Sequence, residues 1–197
     1  LLAASGCVSL AKPYPEKELY ALDAGRPAAL GHAAGVVLRV APVRVSSPFD
    51  AATFMYRTGD LAYEPDYYRG FVTAPEKLLA GEAVRFLGVS GPFGSVLDAR
   101  SDVPSACSLE TTVLELYGDY RDRASPAAHV RARFLLVSGE AETTRLLGDW
   151  TFEATVRLAA PDAATLARGL GAAWGEVLGQ LATKLAAGLE ASEGVRR

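Results

Sequence analysis

The clearest pattern of apolar and polar positions runs from residue 145 to 158. Trp150, Phe152, Ala154, Val156 and Leu158 alternate with Asp149, Thr151, Glu153, Thr155 and Arg157. Strict alternation gives a strand one wet face and one buried face, as in an antiparallel sheet covered on one side. The run before it, 129–138, alternates too. Val130, Ala132, Phe134 and Leu136 face inward, and His129, Arg131 and Arg133 face outward. Those arginines are placed to meet Glu153 or Asp149 across the ladder. A third long strand is predicted over 106–118.

The period then changes. From Pro161 and Asp162 to Glu190, the residues Leu166, Leu170, Trp174, Val177, Leu178, Leu181, Leu185 and Leu189 fall within one arc at about 100° per residue. This predicts a long helix whose arc covers the apolar face of the sheet. A shorter helix is predicted in TAPEKLLAGEAVRFLG. Thr73 and Glu76 have the spacing of a capping box, Pro75 suits a first turn, and Leu79, Ala83, Phe86 and Leu87 form the stripe. Gly88 or Gly91 ends it.

The remaining segments are shorter. ELYAL, 18–22, reads as a first strand, and 25–35 as a loop. In the run 36–45, Val36, Leu38 and Val40 share one face, but Val43 and Val45 fall on the other. The change of phase at Pro42 predicts a bulge or an edge position there. FMYR and LAYEPDYYRGF around TGD read as a hairpin, and 92–100 as a short strand. These elements make a two-layer α+β domain spanning 18–192, a largely antiparallel sheet with two main helices packed on one face.

Composition narrows the chemistry. Half of the residues are hydrophobic, enough for a sizeable core, and the net charge is −3 with the basic residues scattered, so nothing marks a nucleic-acid binder. No run of eighteen apolar residues exists that would span a bilayer as a helix. His32 and His129 lie far apart with no ligand spacing, so neither a metal site nor a cofactor is expected. There is no GxSxG, HExxH or P-loop, and the cluster Asp60, Glu64 and Asp66 has no pattern of its own. A non-catalytic protein is expected.

Three features remain. Gly171, Gly175 and Gly179 repeat at four-residue spacing in the long helix. Each costs about 1 kcal/mol against alanine, which calls for a close approach by another element. The partner is either the first helix of the same domain or another subunit, as in a homo-oligomer. Second, Phe54 to Phe71 is rich in aromatic residues, including Tyr63, Tyr67, Tyr68 and Phe71. These serve either strand packing or a recognition surface. Third, the chain begins LLAASGC, a short apolar stretch and small residues before Cys7, as at a lipoprotein cleavage site. Residues 1–6 then read as a signal-peptide remnant and 7–17, with Pro13 and Pro15, as a lipid-attached tether. Cys107 opens an apolar run and reads as a small buried hydrophobe. A Cys7–Cys107 disulfide is the alternative and would exclude the lipid.

The order of LLAASGC, ELYAL, VVLRVAPVRV and the long stretch FMYRTGDLAYEPDYYRGFVTAPEKLLAGEAVRFLGVSGPFGSVL resembles the ABC-type transport auxiliary lipoproteins, the family that includes paraquat-inducible protein C. The resemblance covers nearly the whole chain. It implies an outer-membrane lipoprotein facing the periplasm of a Gram-negative bacterium, acylated at Cys7. It also implies the partners of a lipid-transport system: an MCE-domain (mammalian cell entry) protein, an ABC permease and an ATPase. It carries over no catalytic residue. On this reading Tyr63, Tyr67, Tyr68 and Phe71 are the candidate docking surface for the MCE protein. The alternative is a carrier that holds phospholipid or a small ligand in an apolar pocket between sheet and helices.

Overall fold

The computed structural model describes residues 16–30, 33–138 and 144–194, with side chains for 16–30, 35–138 and 144–188. Cys7, the segment 1–6, most of the tether, His32 and the side chain of Leu189 lie outside the described residues. The elements follow in the order β1 (Glu18–Tyr20), β2 (Ala33–Val40), β3 (Arg44–Val45), β4 (Thr53–Arg57), β5 (Tyr63–Phe71), α1 (Pro75–Ser90), β6 (Phe93–Leu97), β7 (Cys107–Asp119), β8 (Ala127–Ser138), β9 (Arg145–Arg157) and α2 (Ala163–Gly194).

All nine strands join one sheet, and β7 is its spine. On one flank β7 pairs antiparallel with β8, and β8 with β9, each over almost its full length. On the other flank three short strands follow one another along β7, all parallel to it. They are β2 at Cys107–Leu109, β3 at Thr112–Val113 and β4 at Gly118–Asp119. Beyond β2 lies β6, parallel; beyond β4 lies β5, antiparallel, and then β1, parallel. The sheet therefore forks past β7, with β3 in the gap. The two-layer α+β architecture expected from the patterning is present. The longest ladders are antiparallel, and the sheet as a whole is mixed. The parallel pairs join strands distant in sequence, β1 with β5, β2 with β6, and β2, β3 and β4 with β7, which alternation within a strand does not reveal.

The phase change at Pro42 has a plain cause. Val40 pairs with Leu109 and Arg44 with Thr112, so the β2–β3 side holds one residue more than β7 over the same stretch. That extra residue reverses the alternation. Val40 and Val43 both end up buried, along with Leu38.

The helices share one face of the sheet. α2 lies over β7, β8 and β9, and α1 over β2, β3 and β6. They meet where the indole Nε1 of Trp174 donates to the carbonyl of Leu79 at 3.2 Å. The core is filled: Leu38, Phe54, Leu79, Leu109, Phe134, Leu166, Trp174 and Leu178 are wholly buried. α2 is capped by Asp162, whose Oδ1 accepts from the Thr165 N–H at 2.8 Å. That hydrogen bond, with the Thr165 hydroxyl, holds the Asp162 carboxyl below the ordinary carboxylate range. Its stabilising effect is present at neutral pH and is lost as pH falls through the lowered value. The capping box expected at Thr73 and Glu76 is not made. α1 begins at Pro75, which puts Ala74 at the N-cap without a side-chain hydrogen bond. Thr73 is one residue too early to cap. Gly91 closes the helix in the left-handed region, φ 61°, its N–H donating to Leu87 at 3.1 Å.

The glycine stripe splits in two. A Cβ on Gly171 would lie 2.3 Å from the carbonyl oxygen of Asp23, and one on Gly175 would lie 2.1 Å from that of Ala24. The close neighbour is thus the extended segment after β1, not the first helix. From its other side this strap is held by α1. The Ala24 N–H donates to Glu82 Oε2 at 2.8 Å, and Arg85 donates to the Gly25 carbonyl at 2.9 Å. Gly179 has open space where its Cβ would be. Alanine at Gly171 or Gly175 must push a backbone carbonyl aside, and each is expected to destabilise by about 1–3 kcal/mol. Alanine at Gly179 is expected to stabilise by about 0.5–1 kcal/mol through the helix backbone alone. Denaturant unfolding of the three variants checks the contrast.

Candidate functional site

The aromatic hairpin is built around an interruption. Thr53 pairs with Gly70, and Met55 with Pro65, so β5 carries extra residues over Asp66–Arg69 that β4 does not match. Asp66 shapes this bulge. Its Oδ1 accepts from the backbone N–H groups of Tyr68, at 3.0 Å, and Arg69, at 3.1 Å. Its Oδ2 accepts from the hydroxyl of Tyr56 at 2.9 Å. Gly70 closes the bulge, because a Cβ there would lie 2.1 Å from the Ala52 carbonyl oxygen.

This geometry divides the four aromatic residues of the candidate docking surface. Phe71 is 3 % exposed and packs edge-on to Phe54, 4.9 Å between ring centres. It belongs to the core with Tyr20, which stacks on Phe54 at 5.6 Å. Tyr63 is half-buried in a second aromatic group with Phe49 and Tyr117, at 5.7 Å and 5.5 Å. Phe71 therefore offers no surface to a partner, and Tyr63 is largely covered. Alternation along a regular strand does not foresee this, since the bulge shifts the phase between Tyr63 and Phe71. Tyr67, 76 % exposed, and Tyr68, 39 % exposed, stand free at the bulge.

Beside them lies a polar cleft of about 310 Å³. Tyr56 and Tyr120 form its aromatic wall, their ring centres 4.9 Å apart, with Thr58, Glu64, Asp66, Arg69, Arg123 and Pro161 around it. Burial, with the bond to Asp66, lifts the Tyr56 phenol well above its ordinary value. Burial pushes Tyr120 up to about 12. Both phenols stay protonated at neutral pH and serve as hydrogen-bond donors. The hydroxyl of Tyr120 is buried without a protein partner. The two carboxylates and two guanidinium groups balance in sign. The cleft escaped notice in the sequence because it joins β4, β5 and the turns after β7 and β9. Its one local signal was Asp66, a turn-forming residue inside a run of strand formers.

A second depression, about 670 Å³, lies where the sheet forks, between α1 and the β2–β3 break. Cys107 is 7 % exposed and free, and burial pushes its thiol up to about 11, as a buried hydrophobe requires. Among the described residues no group of three or more His, Cys, Asp or Glu side chains gathers to hold a metal. No described helix is long and apolar enough to cross a membrane.

No protein-family model and no curated protein sequence matches this chain. Solved structures do. A crystal structure of a protein from Xanthomonas campestris, described under the family model DUF330, aligns with a TM-score of 0.78 and 20 % identity, over 89 % of this chain and 99 % of that one. The structure of an uncharacterized protein aligns with a TM-score of 0.68 and 19 % identity, over 86 % and 99 %. A hypothetical protein from Chlamydia trachomatis gives 0.51 and 13 %, over 78 % and 96 %. This chain has the fold of the Xanthomonas protein. Identities this low speak to the fold alone.

Asp66→Ala removes the acceptor of two backbone N–H groups and strands the Tyr56 hydroxyl, so it should cost about 1–3 kcal/mol. Tyr67→Ser, on the exposed tip, should stay within about 0.5 kcal/mol of the parent. Thermal or denaturant unfolding of the pair tests whether the carboxylate holds the bulge while the tyrosine remains free for other work.

Proposed function

We propose that this protein is an outer-membrane lipoprotein, anchored through Cys7, that serves as a non-catalytic accessory of an ABC/MCE-type lipid-transport system. It docks the MCE protein through Tyr67 and Tyr68. The observation that carries the docking is the bulge. Two tyrosines stand in solvent on a backbone pinned from both sides by one carboxylate. Exposed aromatics on a rigid support bind with little loss of side-chain freedom. The anchor is supported by LLAASGC, and the system by the resemblance of the chain to the auxiliary lipoproteins. The tether, 7–17, spans at most about 35 Å when extended. A single acyl chain holds only marginally, so stable anchoring requires multiple acylation at Cys7.

The groove at the fork favours a second reading, a carrier lipoprotein, because its size falls within the range of about 300–1,000 Å³ typical of ligand sites. The groove lies between α1 and the β2–β3 part of the sheet, where such a cargo would sit.

Two measurements test the first reading. Mass spectrometry of the chain matured from its precursor in a Gram-negative host should show acyl groups on Cys7, and an unmodified thiol removes the anchor. The Cys7→Ser chain should capture an MCE protein of its own bacterium, with at least a ten-fold loss for Tyr67→Ser/Tyr68→Ser. Undiminished capture by that double variant removes the docking surface.

A further inference from the structure

β9 is an open end of the sheet. Among the described residues it pairs only with β8. Two hydrogen bonds show which of its backbone groups face outward. The Leu158 N–H donates to the Pro126 carbonyl, on the β8 side. The Glu153 carbonyl accepts from Gln180 Nε2 at 3.2 Å, on the other side. In an antiparallel ladder the N–H and C=O of one residue point the same way, and that direction alternates along the strand. Asp149, Thr151, Glu153, Thr155 and Arg157 therefore turn both backbone groups to the free edge. Gln180 makes the one hydrogen bond to those groups among the described residues.

Proteins blunt such an edge by keeping it short, or with proline, lysine, a bulge or an inward-pointing charge. The other end strands of this sheet are short, three residues in β1 and five in β6. β9 has thirteen. From Gly148 to Arg157 it holds no proline, no lysine and no bulge. Its inward residues there, Trp150, Phe152, Ala154 and Val156, carry no charge, and Trp150, Phe152 and Val156 are only partly buried against the core. The longest open edge is thus the unprotected one.

The pattern of β9 fits a strand of its own sequence. Like charges directly opposite one another destabilise an antiparallel pair. Two β9 strands centred on Glu153 set that carboxylate against its own copy. Centred on Thr151, they set Asp149 against Glu153. Centred on Phe152, they set Asp149 against Thr155 and Thr151 against Glu153, with no like charges opposed. The inward face agrees, since the same register places Phe152 beside Phe152 and large Trp150 beside small Ala154. Centring on Ala154 instead carries Asp149 past the end of the strand, opposite residue 159.

We propose that β9 pairs antiparallel with β9 of a second copy of this chain, centred on Phe152, so that two sheets continue as one across a two-fold axis. Asp149 with Thr155 and Thr151 with Glu153, each twice by symmetry, exchange both of their N–H···O bonds. Gln180 yields the Glu153 carbonyl to the Thr151 N–H of the second copy. The two Phe152 rings meet at a pair without hydrogen bonds, where side chains stand closest. The inference is independent of the docking and carrier readings, because β9 belongs to neither surface.

The test uses the full chain carrying Cys7→Ser, which takes no lipid. In sedimentation equilibrium the mass should rise with concentration to that of two chains. Amide exchange needs no further substitution. The N–H groups of Thr151, Glu153 and Thr155 should exchange slowly where the dimer forms and quickly on dilution, while those of Phe152 and Ala154 stay slow throughout. Thr151→Pro removes an edge donor without touching the β8 ladder and should weaken self-association at least ten-fold. Asp149→Cys/Thr155→Cys should form a cross-linked dimer on mild oxidation. Either single variant, whose two sulfurs lie about 20 Å apart in this register, should form none above the parent. A mass of one chain up to about 100 μM overturns the pairing. So do edge amides that exchange quickly at every concentration, a result that decides the matter even if Thr151→Pro fails to fold. Undiminished self-association of a folded Thr151→Pro overturns the use of this edge. Cross-linking of a single variant as readily as the double one overturns the register.

Discussion

The contact on which the two layers depend is a strap of main chain clamped between two helices. Residues 22–25 pass over the bare backbone of α2 at Gly171 and Gly175, and α1 grips the same residues through Glu82 and Arg85. Neither helix could take its place if the strap were thicker or the glycines larger. Trp174 fits between those glycines along the helix and reaches the backbone of α1. Two backbone groups of the strap, the Ala24 N–H and the Gly25 carbonyl, have no sheet ladder to join and are satisfied by side chains of α1 instead. Through this clamp the N-terminal strand is tied to the helical layer as well as to the sheet.

That arrangement fixes what lies beyond it. β1 leads into the strap and also pairs with Arg69–Phe71, the stretch immediately after the bulge. Arg69 meets Glu18 at 3.3 Å across this junction. The exposed tyrosines are therefore mounted close to where the tether enters the fold. The groove lies on the other branch of the fork, against β2, β3 and α1.

Much of this could be read along the chain, and the failures have physical causes. β8 and β9 were plain because their phase is unbroken from Ala127 to Leu136 and from Gly148 to Arg157, the ladder shifting only at Leu147, and Arg133 does meet Asp149, at 2.6 Å. The α2 arc was plain for the same reason. Pro42 announced its own break. The bulge at Asp66 did not, because a phase shift within a run of tyrosines looks the same as continuity. Phe71 consequently read as surface and is core. The glycines at 171 and 175 showed that something comes close, but periodicity describes one element and cannot name the other. The fork, the cleft and the groove are pairings between distant segments, and no local rule reaches them.

β7 has a consequence for how the molecule comes into being. Four of the other strands lie directly against it, and β2, β3 and β4 meet on no common partner except this one. Everything N-terminal to Cys107 is made before that partner exists. The first half of the polypeptide must wait as separate pieces, its apolar edges unclaimed, until residues 107–119 arrive to align them. Assembly is thus governed by long-range pairing, which is slow and leaves sticky intermediates in the interval. A chain of this design is best made where something shields it from its own kind until the middle has been delivered.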